Sequence, residues 1–279
     1  MGFMQGAKAW SEPDYIQRHY DIVSPYYQSL WGEHIHHGYW TSGEESKEQA
    51  QVQLIEHLAA AAGVEPGATI LDVGCGIGGS SIYLAKKYQS QVTGITISPV
   101  QVEMATRAAA REDVSAKFLL MNAEEMEFAE PLDVIWSVES ISHYRHPKKF
   151  FARAATLLKP GGTLAITDWF EKENLPTAIR DKYIPPIEKS MMVELHTMKA
   201  YEAWMKDCGL QIVKTEILNE HCAKTWDVCM DIVNNKTFWK LAAQNGAEFL
   251  TFLRGFKAMR AGFRSGNFIY GLMVARLAV

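Results

Sequence analysis

Cysteine is scarce here and not patterned. Cys75, Cys208, Cys222 and Cys229 are the four in 279 residues, and none falls in a CxxC pair. That argues against a disulfide framework and reads as reduced, intracellular thiols. Long apolar runs are missing too: no stretch of 18 uncharged apolar residues occurs, so no membrane-spanning helix is expected. The start, MGFMQGAKAWSEPDY, has no charged head followed by an apolar run. It is not a signal peptide by pattern, and a cytoplasmic protein is expected. Basic residues are not in excess: 28 Lys and Arg stand against 32 Asp and Glu, a formal net charge of -4, so there is no global nucleic-acid footprint. Repeats and low-complexity tracts are absent. What remains is a composition of 48% hydrophobic and 22% charged residues, enough for a buried core. The length fits one large domain, or one domain carrying a sizeable insertion.

Residues 69–168 alternate strand and helix patterns. ATILDVG, QVTGITI, AKFLLMNA, LDVIWSVE and TLAITDW read as five strands. SSIYLAKKY, PVQVEMATRAAARE and PKKFFARAATLLK read as helices, the second opened by Ser98 as cap with Pro99 in its first turn. Such alternation implies right-handed crossovers and a parallel sheet covered on both faces. LQIVKTEIL (210–218) and NFIYGLMVARLA (267–278) read as two further strands at one edge. The expected fold class is therefore α/β, a doubly wound, mostly parallel seven-stranded sheet with a helical cap. The segments are an aromatic-rich N-terminal cap (1–45), a core (46–170), helical lid insertions (171–196 and 219–265) and pieces completing the sheet (197–218 and 266–279).

The first strand runs into ILDVGCGIGGSS, in which Gly74, Gly76 and Gly79 satisfy GxGxxG. Alone this is weak: it suits any strand-turn-helix that brings backbone close to a ligand, or a tight turn with none. A dinucleotide would set its pyrophosphate on the helix N-terminus and want an acid roughly 20 residues on. Here Asp72 lies inside the strand, and position 96 is Thr. S-adenosylmethionine has no phosphate but carries an ammonium and a sulfonium, to which a carboxylate at a strand end is attractive in a partly dry site. Asp72 therefore favours S-adenosylmethionine over a nicotinamide cofactor.

These stretches resemble the class I S-adenosylmethionine-dependent methyltransferases, with DVGCGIGGSSIYLAKKY (72–88) as their first motif and LLKPGG (157–162) as the turn before the fifth strand. WGEHIHHGYW (31–40), GITISPVQ (94–101) and WSVESISHY (136–144) bring the likeness closer to the γ-tocopherol and sarcosine/dimethylglycine methyltransferase group, which shares features with the sugar O-methyltransferases of indolocarbazole biosynthesis. The resemblance covers most of residues 15–170 and fades over 171–265. It implies a Rossmann-like cofactor site. Gly74, Gly76 and Gly78 would line the methionine and ribose portion, and Ile97, Ser98 and Gln101 would approach the adenosine. Thr96 stands where most class I enzymes have the ribose-binding acid, with Gln101 the candidate helper. Asn122, Ala123 and Glu124 would flank the adenine; Ser137 and Val138 would meet the methionine carboxylate or sulfonium region. Without the resemblance, Ser98 and Asn122 are equally well explained as local caps.

Methyl transfer from a sulfonium is an in-line displacement, so the protein must align the acceptor, exclude water and remove a proton where there is one. Glu139, His143 and Asp168 fall at the ends of strands four and five. The sugar O-methyltransferases have a His and an Asp matching His143 and Asp168, and a His oriented by an acid is a credible general base. Loop packing and capping are the alternatives for His143 and Asp168, and Glu139 could instead hold backbone groups. By resemblance Tyr20, His37, Gly38 and Tyr39 close over cofactor and substrate. His34, His36 and His37 lack a fourth ligand at a recognisable spacing, so no metal is expected.

The C-terminal insertion puts Trp226, Cys229, Met230 and Val233 on one helix face, followed by TFWKLAA. FLRGFKAMRAGFR (252–264) then sets Phe252, Phe256, Met259 and Phe263 against Arg254, Lys257, Arg260 and Arg264. This basic amphipathic helix reads as a lid, or as a weak membrane-surface contact. Apolar lid segments imply a small, largely hydrophobic small-molecule methyl acceptor, such as an aromatic, indole or terpenoid natural product, methylated on carbon, oxygen or nitrogen. Nucleic acid is not an expected partner, since the base-amino methyltransferase signature is missing. The alternatives are methylation of a polar amine such as glycine or sarcosine, a nicotinamide-dependent oxidoreductase, a non-catalytic binding module, and cyclopropane formation on lipids. A homo-oligomer is open, because the aromatic N-terminus could cap its own site or a neighbour's.

Overall fold

The computed structural model describes residues 12–234, 239 and 247–279. Seven strands form one sheet: β1 (Thr69–Val73), β2 (Gln91–Thr96), β3 (Ala116–Leu120), β4 (Leu132–Val138), β5 (Leu158–Glu171), β6 (Leu210–Ile217) and β7 (Phe268–Leu277). Their order is β3-β2-β1-β4-β5-β7-β6. The first five are parallel, and β7 lies between β5 and β6, antiparallel to both. The two late strands thus extend one edge, as their pattern suggested.

Local chemistry accounts for the helix starts. α1 (Pro13–Trp31) has its proline in the first turn, and α2 (Lys47–Ala62) opens with a reciprocal capping box between Ser46 and Gln49. α3 (Gly79–Tyr88) follows the glycine loop; α4 (Pro99–Glu112) is capped by Ser98, whose hydroxyl accepts from the Gln101 N–H. α5 (Pro147–Leu157), α6 (Thr177–Met191) and α7 (Met198–Asp207) come next. Then follow α8 (Asn219–Cys222), α9 (Thr225–Val233) and α10 (Ala247–Arg264).

Two boundaries differ from the sequence pattern. β3 ends at Leu120, before the expected Met-Asn-Ala, because the Asn122 side chain accepts from the Glu124 N–H and starts a short helical turn, Ala123–Glu125. α5 stops at Leu157 and β5 begins at Leu158, where the sequence suggested helix through Lys159: the residue before Pro160 is biased to extended backbone.

One face of the sheet buries Ile70, Val134, Trp136 and Tyr270 against α2 residues Leu54, Ile55 and Leu58 and against the cap. The other buries Ile135, Leu164 and Ile166 against Phe150, Phe151, Tyr201 and Met205 of α5 and α7. The cap is α6, α9 and α10. α10 lies so close to α6 that a Cβ on Gly255 would come within 2.7 Å of the Ser190 hydroxyl. Phe256, Met259 and Phe263 of α10 and Trp226, Cys229 and Val233 of α9 are buried as their spacing predicted, while Met230, placed on the same face, is only half-buried. Phe252 and most of TFWKLAA lie outside the residues whose side chains are described. On the opposite side of α10, Arg260 and Arg264 both face Asp227 of α9, which offsets part of the basic stripe. Among the described residues no helix is long and apolar enough to cross a membrane.

Candidate active site

A cavity opens beyond the carboxyl ends of β1, β2, β4 and β5, where a doubly wound sheet takes its ligand. About 190 Å³ of it is open to the centres of water molecules. α1 and the cap roof it. One end is built from the loops after the strands, the other from aromatic and sulfur side chains.

At the first end, Gly74 and Gly76 line the cavity with φ of +75° and +53°, a region that side chains other than glycine's rarely adopt. A Cβ on Gly74 would lie 2.0 Å from the Ser140 hydroxyl, whereas one on Gly76 would meet no protein atom within 4 Å. The loop is thus tight against β4 below and open above Gly76, a cradle for a ligand that approaches backbone. Thr96, Ile97 and Gln101 form the next wall: Thr96 donates to the Gln101 carbonyl at 2.6 Å, and the Gln101 amide donates to Ser24 of α1 at 3.1 Å. Asn122, Ala123, Glu124 and Val138 line it as expected. The Glu124 carboxylate is engaged at 2.6 Å by the His146 N–H.

Four expected cofactor residues do not reach the cavity wall. Asp72 is buried behind the loop and accepts from the Ser81 hydroxyl at 2.5 Å; burial pushes its carboxyl up to about 7. It fixes the start of α3 rather than facing a ligand's charge. Gly78 packs instead on α4 and β3, since a Cβ there would lie 2.9 Å from Ala105 and Phe118. Ser98 is taken up by capping α4 and by donating to Asp21 of α1. Ser137 is fully buried in β4.

The N-terminus of α3, where a dinucleotide would rest its pyrophosphate, is covered. A Cβ on Gly79 would lie 2.3 Å from the Glu33 carbonyl and 2.6 Å from the His34 ring. The loop end fits S-adenosylmethionine, which needs close backbone but no phosphate site.

At the second end stand Tyr27, Trp31, Ile35, Trp169, Met191, Trp226, Cys229, Phe256 and Met259, with three histidines among them. Each histidine has an oxygen that can only accept on its Nδ1, so each carries its proton there. His36 Nδ1 donates to the His37 carbonyl at 2.8 Å, His37 Nδ1 to Glu139 Oε1 at 3.0 Å, and His143 Nδ1 to the Met192 carbonyl at 3.0 Å. The sequence expectation of a His143–Asp168 pair is therefore corrected. Asp168 is buried off the cavity wall and accepts from the Ser142 and Trp169 N–H groups at 2.9 and 2.8 Å. The carboxylate fixes the loop after β4, and His143 is oriented by a backbone carbonyl instead. Burial lowers His143 to about 4, so the ring is neutral and its Nε2 accepts from the Tyr20 hydroxyl at 3.0 Å.

The histidine that does have an acid is His37. Glu139 accepts from its N–H at 2.7 Å, from its ring, and from Tyr270 Oη at 2.8 Å. Burial works against the charge on Glu139, but the neighbouring His37, its two hydrogen bonds and His36 outweigh it, and the carboxyl sits below its ordinary value. The reach requires Glu139 to adopt φ of +52° at the end of β4. The ring of His37 stacks on Tyr270 at 4.3 Å and meets the edge of Trp226 at 4.9 Å.

A family model described as mycolic acid cyclopropane synthetase matches residues 8–268. The chain belongs to that family. Its members are S-adenosylmethionine-dependent methyltransferases of class I, and this chain is an enzyme of that class. A probable chloroplastic tocopherol O-methyltransferase of Oryza sativa subsp. japonica is 31% identical, over 79% of this chain and 65% of that protein. The 27-O-demethylrifamycin SV methyltransferase of Amycolatopsis mediterranei is 31% identical, over 77% and 80%. Among solved structures, the mycolic acid cyclopropane synthase CmaA1 complexed with SAH and CTAB superposes with a TM-score of 0.84 at 22% identity, covering 94% of this chain and 96% of that one. That last likeness is one of fold.

Several residues of the site have no motif to announce them. Trp169 of the wall and Tyr270, buried behind it against His37 and Glu139, lie on antiparallel neighbours β5 and β7, in register. Trp226 and Met259 were legible only as one face of an amphipathic helix, which says buried but not beside what.

Proposed function

We propose that this methyltransferase acts on a small, largely hydrophobic acceptor, an aromatic or terpenoid-like molecule. The observation that carries the reading is the second end of the cavity, walled by Tyr27, Trp31, Trp169, Met191, Trp226, Phe256 and Met259. Such walls suit a molecule that gains by leaving water. The two relatives above are named for tocopherol and demethylrifamycin, both bulky and mostly apolar, which supports the same class. A polar amine fits less well: Glu139, the carboxylate at that end, is already taken by His37 and Tyr270.

When bound, S-adenosylmethionine supplies a methyl group on a positively charged sulfur. Gly74, Gly76, Thr96, Ile97, Gln101, Asn122 and Ala123 would hold it. The chain's own part is to position and to exclude water. α1 closes the cavity through three hydrogen bonds to the sheet side: Tyr20 to His143, Asp21 to Ser98 and Ser24 to Gln101. The buried apolar lining would give the acceptor surroundings of low dielectric, in which these residues contribute by alignment rather than by covalent help. The neutral ring of His143 adds no repelling positive charge.

Titration of the purified protein with S-adenosylhomocysteine tests the first end, with micromolar binding expected. A screen of alkylated phenols, indoles and terpenoid alcohols for S-adenosylhomocysteine release tests the second. Turnover of glycine or sarcosine in preference to all of these would refute the proposal.

A further inference from the structure

β6 is an edge strand, with β7 on one side and no described strand on the other. Two large apolar side chains stand in the open on it, Val213 at 52% and Ile217 at 61% exposed, and Thr215 between them is exposed too. Apolar side chains on a free sheet edge invite another strand. The ladder to β7 fixes which backbone groups are free to pair. The Leu218 N–H donates to the Tyr270 carbonyl, and from there the register runs Ile217–Gly271, Glu216–Leu272, Thr215–Met273 and Lys214–Val274. Hydrogen-bonded and non-hydrogen-bonded pairs alternate along an antiparallel ladder. Leu218, Glu216 and Lys214 therefore bond to β7, while the N–H and C=O of Ile217 and Thr215 point to the free edge. Among the described residues no backbone hydrogen bond meets them there.

The charges on the strand select the partner. A second copy of β6, paired antiparallel about a two-fold axis at Thr215, sets Thr215 against Thr215 and Val213 against Ile217. It also sets Lys214 against Glu216, twice over by symmetry. The Thr215 pair is the hydrogen-bonded one. Lys214 and Glu216 fall in the non-hydrogen-bonded pairs, where side chains come closest. Moving the axis to Lys214 or to Glu216 puts like charges face to face. An axis at Ile217 runs off the strand's end, and one at Val213 is centred on the register shift between Ile212 and Lys214. One register is left. A bulge and a lysine at an edge ordinarily turn other strands away. Here Glu216 supplies the match to that lysine, and only a chain with the same spacing carries it. β3, the other edge, has Lys117 and no acid, so it offers no such match.

We infer that β6 is a self-association surface: two copies of this chain join edge to edge, and their seven-stranded sheets become one continuous sheet across a two-fold axis at Thr215. Within one chain Lys214 Nζ lies 2.7 Å from Glu216 Oε2, which His57 of α2 also meets at 3.0 Å. Both side chains keep exposed surface, so pairing turns one ion pair into a square of four alternating charges. The contact is short, which makes the dimer reversible, with a dissociation constant on the order of 10 μM.

Sedimentation equilibrium over about 1 to 200 μM protein is the test, and wild type should pass from monomer to dimer within it. Lys214→Glu and Glu216→Lys each set like charges opposite in both symmetric pairs, so each should lose roughly tenfold or more in association. Mixed in equal amounts, the two variants should recover the dimer, because the acids of one then face the lysines of the other. Thr215→Pro removes an N–H that β7 does not use, and it should be monomeric as well. Thermal unfolding checks that each variant is folded. A wild type that stays monomeric, a dimer that persists in both charge reversals, or a mixture of folded variants that fails to recover it each overturns the inference. Where a reversal or the proline fails to fold, Thr215→Cys decides. Its thiols meet on the axis at about 5.5 Å between Cα atoms, so mild oxidation should link two chains, and no link overturns the inference.

Discussion

Asp168 offers a quantitative test of the buried framework behind the cavity. Its side chain is fully buried, and burial pushes its carboxyl up to about 7 against the hydrogen bonds from Ser142 and Trp169. In the unfolded chain the same group titrates near 3.8. Between those values the folded protein holds a proton that the unfolded chain has lost, so this group's contribution to stability falls as pH rises, and the penalty is complete above about pH 7. From about pH 5 to about pH 8 the folded state gives up the advantage of roughly two pH units, worth about 2.5 kcal/mol at 1.36 kcal/mol per unit. Asp168→Asn keeps a carbonyl for one N–H group and has no titration, so it lacks that slope. The assay is urea unfolding of both proteins at the two pH values. Because every other ionisable group is common to the pair, the difference between them isolates position 168. Wild type should lose about 2.5 kcal/mol relative to Asp168→Asn on going to the higher pH. A difference that stays constant, or grows in favour of wild type, refutes the account of a strained, buried carboxyl.

Other substitutions probe the loop, the roof and the cap. Gly74→Ala, at φ of +75° and against Ser140, should destabilise the fold by about 2 kcal/mol or more and abolish S-adenosylhomocysteine binding by calorimetry. Tyr20→Phe removes the hydrogen bond to His143 Nε2; hydrogen exchange in residues 13–31 should speed up while the sheet amides stay protected. Ser98→Ala loses both the α4 cap and the link to Asp21, and chemical denaturation should show a loss of about 1 kcal/mol. Met259→Ala in the cap should cost about 2–5 kcal/mol in the same experiment and loosen affinity for apolar acceptors.

What the sequence disclosed was what neighbours in the chain decide. The glycine loop, the Ser98 cap, the strand alternation and the buried faces of α9 and α10 all rest on spacings of a few residues, and they appear where expected. The pairing of acids with histidines did not, because it rests on contacts across the fold. Asp168 and His143 sit at adjacent strand ends, yet the carboxylate is captured by two backbone N–H groups whose direction the loop fixes. Glu139 instead crosses to a histidine 102 positions earlier, and only the left-handed backbone at Glu139 brings it there. Asp72 shows the same limit: position on a strand end was legible, but the hydroxyl of Ser81, which claims its carboxyl, was not assigned that task.

The helix that roofs the cavity is also part of its wall. Ile16, Tyr20, Tyr27 and Trp31 of α1 line the interior, while Tyr20, Asp21 and Ser24 bolt that helix to three separate points of the sheet side. Because the same helix supplies wall and fastening, the cavity's shape and its cover rest on the same three hydrogen bonds, and a change that weakened them would alter what the cavity fits as well as how well it is shielded from water.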